Sequence, residues 1–186
     1  MWTLITTDIK GICPCDNCNK NIKLAVHAGF CYGVKRAVET TKKLKAENPE
    51  KDIYVLGELI HNSQVINELK ELGIKTVDSL PEREAAKGAG ICVIRSHGAS
   101  FEVFEDIKKK GYELVDLTCP DVKKVQDRAI ELSKEDYFVI ILGKEEHPEV
   151  VAITAYARKY AKDKTRVFVA KSVDALKEIE AVLKKE

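Results

Sequence analysis

Six cysteines and four histidines carry most of the chemistry open to this chain, because thiolates and imidazoles bind soft metal ions and exchange protons near neutral pH. Beyond residue 21 their placement follows a rule. Cys31 follows the apolar run 22–26, His61 follows 53–56, His97 follows 91–95, Cys119 follows 112–117, and His147 follows 137–142. If each run is a strand, one reactive residue leaves each of five strand ends, which is where ligands bind in open α/β sheets. Cys31 sits in His27-Ala28-Gly29-Phe30-Cys31-Tyr32-Gly33-Val34, with glycines that let the backbone bend and come close to a ligand. The free N–H groups of a helix starting there favour an anion or a thiolate. Cys92, inside Ile91-Cys92-Val93-Ile94, is the counter-example: it reads as an inert core thiol.

The chemistry this suggests is a metal centre on the thiolates of Cys31 and Cys119, faced by the imidazoles of His61, His97 and His147 holding a phosphate-like anion. Each imidazole is expected to offer a charge-assisted N–H. Glu149 follows His147 by two residues, across Pro148, near a helix start where a carboxylate can pass a proton. A carboxylate in a first helical turn is also favourable with no chemistry at all. Residues 1–21 stand apart, with Cys13, Cys15 and Cys18 crowded into a turn-rich stretch. Three sulfurs so close suit zinc or an iron–sulfur cluster, although a complete site normally has four ligands.

The elements that must position these residues alternate regularly. Strands are expected at 22–26, 53–56, 74–77, 91–95, 112–117, 137–142 and 166–169. The helix after Cys31 carries Val34, Ala37, Val38, Thr41 and Leu44 on one face, and the next carries Val65, Ile66, Leu69 and Leu72 before Gly73 ends it. Further helices are expected over 101–110, 121–134, 149–161 and 173–184, with Pro120 in a first turn and Gly111 as a stop. Alternation of this kind predicts an α/β fold of repeated strand–helix units with mostly parallel sheets, the strands buried under helices on both faces. The expected division is a cysteine-rich extension at 1–21, a first α/β domain at 22–117 and a second at 118–186.

Length and composition agree with this. The 186 residues are 45% hydrophobic, enough for a sizeable core, and 31 basic residues balance 30 acidic ones to a net charge of +1. Interspersed charge of this kind points to neither nucleic acid nor a membrane surface. No apolar run approaches the roughly 18 residues of a spanning helix, and Asp8 and Lys10 interrupt the start where a signal peptide needs an apolar segment. The chain is therefore read as cytoplasmic, where cysteines serve metal or thiolate chemistry rather than disulfides.

Five short motifs, in order across residues 22 to about 180, carry a family resemblance. They are Gly29-Phe30-Cys31-Tyr32-Gly33-Val34, Leu59-Ile60-His61-Asn62, Ser96-His97-Gly98, Thr118-Cys119-Pro120 and His147-Pro148-Glu149-Val150. The chain resembles the 4-hydroxy-3-methylbut-2-enyl diphosphate reductases, the LytB-type iron–sulfur enzymes of the non-mevalonate isoprenoid pathway. The resemblance implies two of the family's three similar α/β domains. It further implies that Cys31 and Cys119 are two of three cysteines holding a [4Fe-4S] cluster, that His61, His97 and His147 line the substrate and its diphosphate, and that Glu149 supplies protons. The implied oxidoreductase removes the substrate hydroxyl as water with two electrons and protonation, giving isopentenyl and dimethylallyl diphosphate. Its implied partners are a small diphosphate substrate and an external electron donor such as ferredoxin or flavodoxin.

The departures leave three readings open. The sequence stops before the family's third domain, which brings the third cluster cysteine, and no cysteine follows Cys119. Where the family usually has glycines after the glutamate, this chain has Val150-Val151-Ala152-Ile153-Thr154-Ala155. Either another chain supplies the third domain, or one of Cys13, Cys15 and Cys18 supplies the missing ligand, or the chain has left the pathway. In the last case it is an iron–sulfur binding or electron-transfer module without diphosphate reduction.

Overall fold

The computed structural model describes residues 29–82 and 90–184. The chain divides into two compact units, Met1–Cys31 and Tyr32–Glu186. In the first, Gly29 takes a φ of +112°, and Phe30 and Cys31 are exposed. The strand expected at 22–26, His27, and the triplet Cys13, Cys15 and Cys18 lie outside the described residues.

The second unit runs α1 (Tyr32–Glu47), β1 (Ile53–Leu56), α2 (Ser63–Glu71), β2 (Ile74–Val77), β3 (Ile91–Ile94), α3 (Phe101–Lys109), β4 (Glu113–Asp116), α4 (Pro120–Lys134), β5 (Val139–Leu142), α5 (Pro148–Tyr160), a 3-10 turn (Lys164–Arg166), β6 (Val167–Ala170) and α6 (Ala175–Leu183). The α/β reading holds, and both sheets are parallel throughout the described residues. The 3-10 turn was not expected from the sequence; it is capped by Asp163, whose carboxylate accepts from the Thr165 N–H.

Four strands form one sheet in the order β2-β1-β3-β4, with Ile53 opposite both Ile74 and Ile91, and Ile91 opposite Glu113. All four residues of β3 are buried, as its unbroken apolar run demands of a strand covered on both faces. Ile53, Val55, Ile91 and Val93 pack with Ala37 and Val38 of α1 and with Val65 and Leu69 of α2. Cys92 and Ile94 pack with Ile107 of α3 in a separate cluster. The chain leaves β1 for β2 on one side and returns past β1 to β3 on the other. The topological switch point therefore lies between the carboxyl ends of β1 and β3.

Two expectations are corrected. Leu72 does not belong to the buried stripe of α2: the helix ends at Glu71, Leu72 is its C-cap, and the side chain is exposed. Burial on both faces fails for the second sheet, which among the described residues has only β5 and β6. Val139, Ile141 and Val167 pack under Ala129 of α4 and Ile153 and Ala157 of α5, while Ile140 and Leu142, pointing the other way, are 42% and 65% exposed. A two-stranded ribbon under two helices has one face covered and leaves β5 bare on the other.

Candidate functional site

Three strand exits of the larger sheet are tied together by hydrogen bonds. Ser96, in the turn after β3, donates its hydroxyl to the Leu59 carbonyl in the loop after β1 at 3.3 Å. The carbonyl of Ser96 accepts the Cys119 N–H, beyond β4, at 2.9 Å. His61 precedes Asn62, which caps α2 by accepting the Val65 N–H at 3.1 Å. His97 occupies the Ser96-His97-Gly98 turn, closed by Gly98 N–H to the Arg95 carbonyl at 3.0 Å. Gly98 has a φ of +78°, and a Cβ there would meet the Gln126 amide at 2.8 Å, so glycine is required on both counts.

His147 enters from the second sheet as the N-cap of α5, where Pro148 takes the first helical position. Its ring and those of His61 and His97 converge: the ring centres are 4.7 Å apart for His61 and His97, 5.8 Å for His97 and His147, and 6.4 Å for His61 and His147. One nitrogen from each ring lies within 4.8 Å of the other two. A tetrahedral zinc ion with bonds of about 2.05 Å needs its nitrogens roughly 3.3 Å apart. Three hydrogen bonds of about 2.8 Å to one oxygen need roughly 4.6 Å. Nitrogens within 4.8 Å of one another have room for an oxygen held by three imidazoles and also meet the closer requirement of a metal ion.

The three rings differ in environment. Burial pushes the His97 pKa down to about 4, with the neighbouring His61, Arg95 and His147 acting in the same direction, so His97 is neutral at pH 7. His147 Nδ1 accepts the Glu149 N–H at 3.3 Å, so the neutral ring carries its proton on Nε2. A second proton on His147 would break that cap. The expectation of a charge-assisted donor is corrected for His97, which burial keeps neutral.

Cys119 is the N-cap of α4, half-buried, with no hydrogen bond from its side chain to the helix. The loop before it is rigid: Asp116 accepts both the N–H and the hydroxyl of Thr118, at 3.0 Å and 2.5 Å, and Arg36 donates to the Thr118 carbonyl at 2.6 Å. From α1, the Tyr32 hydroxyl donates to Asp121 at 2.5 Å. That bond, first of several influences including the nearby Cys119, pushes the Tyr32 phenol up to about 12. A Cβ on Gly33 would lie 2.6 Å from the Cys119 sulfur. Gly33 is helical and buried, so its role is not the bend expected from the sequence but the space it leaves for a thiol. A free thiol at a helix N-terminus, in a cradle a methyl group would fill, fits a soft metal or iron–sulfur group.

Cys31, exposed and free, is the residue before α1 in the chain. Cys92 is fully buried in β3, and burial pushes its thiol up to about 12, consistent with an inert core residue. Glu149 is half-buried in the first turn of α5, next but one to His147. Sequence reasoning missed Tyr32, Arg36, Asp121 and the carboxylate of Glu58, 3.3 Å from His61 Nδ1. Of these only Glu58, three residues before His61, had a local signal.

Fold and side chains together define an α/β protein with parallel sheets in which three imidazoles converge at a sheet switch point, with a cradled thiol at the adjacent strand exit. The family model for LytB protein matches residues 22–185, and the chain belongs to that family. It is 40% identical over 140 residues to the 4-hydroxy-3-methylbut-2-enyl diphosphate reductase of Caldanaerobacter subterraneus subsp. tengcongensis, covering 75% of this chain and 48% of the relative. It is 43% identical over 135 residues to the reductase of the same name from Alkaliphilus oremlandii, covering 73% and 47%. The solved structure of an (E)-4-hydroxy-3-methyl-but-2-enyl diphosphate reductase, described as the terminal enzyme of the non-mevalonate pathway, superposes with a TM-score of 0.68 at 36% identity, over 82% of this chain and 52% of that one. The Plasmodium falciparum reductase gives 0.71 at 29% identity, over 82% and 45%. The chain spans about half the length of the curated relatives it matches.

Proposed function

We propose that this chain is the cluster-bearing and diphosphate-binding part of a 4-hydroxy-3-methylbut-2-enyl diphosphate reductase. The observation that carries the reading is the convergence of His61, His97 and His147 from three separate strand exits, one nitrogen of each ring lying within 4.8 Å of the other two. An electron-transfer module alone has no use for three imidazoles aimed at one point, which disfavours that alternative.

In this reading Cys31 and Cys119 are ligands of a [4Fe-4S] cluster, which when bound supplies electrons and a Lewis-acidic iron. The chain's own groups do the rest. His147 donates from Nε2, His97 adds a neutral ring in a partly buried site, and Glu149 delivers a proton from the turn that His147 caps. Gly33 and Arg36 hold Cys119 in place. The partners are a small allylic diphosphate and an external donor such as ferredoxin or flavodoxin. The setting is the cytoplasm, with a domain boundary between 117 and 118; among the described residues no helix is long and apolar enough to cross a membrane.

Anaerobic reconstitution with iron and sulfide, read by metal analysis and electron paramagnetic resonance, tests this. Cys31→Ser and Cys119→Ser should each lose most of the iron, and Cys92→Ser should keep it. Equal loss in all three, or none in any, would refute the assignment. Removing residues 1–21 decides the place of Cys13, Cys15 and Cys18. A changed cluster spectrum makes one of them a ligand, and loss of a separable portion of metal makes them an independent site.

A further inference from the structure

Among the three imidazoles, His61 is the one whose known hydrogen bond survives a second proton. Its Nδ1 lies 3.3 Å from a carboxylate oxygen of Glu58, three residues earlier in the same loop. A carboxylate only accepts, so the contact requires the ring proton on Nδ1 and leaves the lone pair of the neutral ring on Nε2. His147 has the opposite arrangement, with Nδ1 accepting and Nε2–H donating. His97 is neutral at pH 7, and its Nδ1 is buried without a hydrogen-bond partner among the described residues. The loop that holds Glu58 is itself fixed: Gly57 has a φ of +71°, and a Cβ there would lie 2.6 Å from the Arg95 guanidinium. Arg95 is half-buried and attracted by Glu58 and Asp78, so the Glu58 carboxylate faces a permanent cation as well as His61.

We propose that Glu58 is a positioning residue that holds the His61 proton on Nδ1, making His61 the member of the trio that takes the proton of a bound hydrogen-phosphate oxygen. The step balances without any further reactant. The P–O–H proton moves to His61 Nε2, leaving an anionic phosphoryl oxygen and an imidazolium that keeps its bond to Glu58. His147 Nε2–H donates to the same oxygen before and after. Recognition is thereby two-sided, with one acceptor and one donor, and it selects a phosphate that arrives with a proton. The proposal rests on the diphosphate reading of the site and adds to it which residue sets the proton's position.

The experiment uses the intact chain labelled with 15N and inorganic diphosphate as the probe. Long-range proton–nitrogen correlation spectra of the four imidazoles, assigned with His→Gln variants, should show free His61 protonated at Nδ1 alone, and at both nitrogens once diphosphate is bound. Glu58→Ala should move the proton of free His61 mainly to Nε2, whereas Glu58→Gln, whose carbonyl still accepts, should retain the Nδ1 signature. Calorimetry should show inorganic diphosphate binding weakened about tenfold by Glu58→Ala, as for one charge-assisted hydrogen bond. The double variant Glu58→Ala/His61→Ala should bind no more weakly than His61→Ala alone, within a factor of two. An unchanged His61 tautomer in Glu58→Ala, or losses that multiply in the double variant, overturns the proposal. If the wild-type chain fails to bind diphosphate while Glu58→Ala still shifts the tautomer, Glu58 keeps its positioning role and the diphosphate reading falls.

Discussion

Replacing Gly33 by alanine isolates the cradle of Cys119 from everything else the thiol does. The new methyl carbon would stand 2.6 Å from the sulfur and 3.3 Å from Cys119 Cβ. Contact distances for such atoms are about 3.5–4.0 Å, so the overlap with sulfur is about 1 Å. Within α1, alanine is favoured over glycine by about 1 kcal/mol, whereas forcing a methyl group into a packed site costs about 1–3 kcal/mol. The net loss is about 1 kcal/mol, or about 2–4 °C in Tm for a unit of this size. The sulfur is the end of a short side chain, so it gives way by rotating about Cα–Cβ, away from the position that Gly33 leaves open. The expectation is therefore a nearly native Tm with iron loading reduced about tenfold or more, as when groups supporting a metal ligand are changed. Alkylation of Cys119, mapped by mass spectrometry with Cys31 as the reference in the same chain, should change several-fold. Wild-type iron loading together with wild-type alkylation of Cys119 would refute the reasoning.

Other outcomes follow from the same structure. Cys92 should resist iodoacetamide at pH 8 in the folded chain and react only on unfolding, since its thiol is pushed up to about 12. The stability this contributes is fully present below the unfolded thiol value of about 8.5 and is lost as pH rises toward 12, a slope that Cys92→Ala should remove from alkaline denaturation curves. For His97, held down to about 4 by burial, the sign reverses: the unfolded chain takes up a proton that the folded chain refuses. Stability should therefore fall as pH drops from about 6.5 toward 4, and His97→Gln should flatten denaturant midpoints across that window. In a complete active site, Glu149→Gln should keep the cluster and the substrate affinity and lose most turnover, because an amide preserves shape but cannot relay a proton. Near-normal turnover would reduce Glu149 to a helix-end charge.

The strands and α-helices from residue 53 onward, their order and their parallel pairing could be read from the sequence because each is a local pattern: Ile91-Cys92-Val93-Ile94 is an unbroken apolar run, and Pro120 and Gly111 mark helix ends whatever surrounds them. The residue types at the strand exits were legible for the same reason, since a reactive side chain just after an apolar run lies at a sheet's carboxyl edge. Tertiary structure alone decided what those residues share and what state they hold. His61, His97 and His147 are separated by tens of residues, and only the strand order β2-β1-β3-β4 and the entry of α5 bring their rings together. The neutrality of His97 is a consequence of burial, and the acceptor role of His147 Nδ1 a consequence of capping a helix, neither of which the sequence states. Gly33 reads from the sequence as a bend because glycine's freedom is a local property. Its actual work is to leave room for a sulfur 86 positions away, because space between packed helices belongs to the pair and is written in neither one.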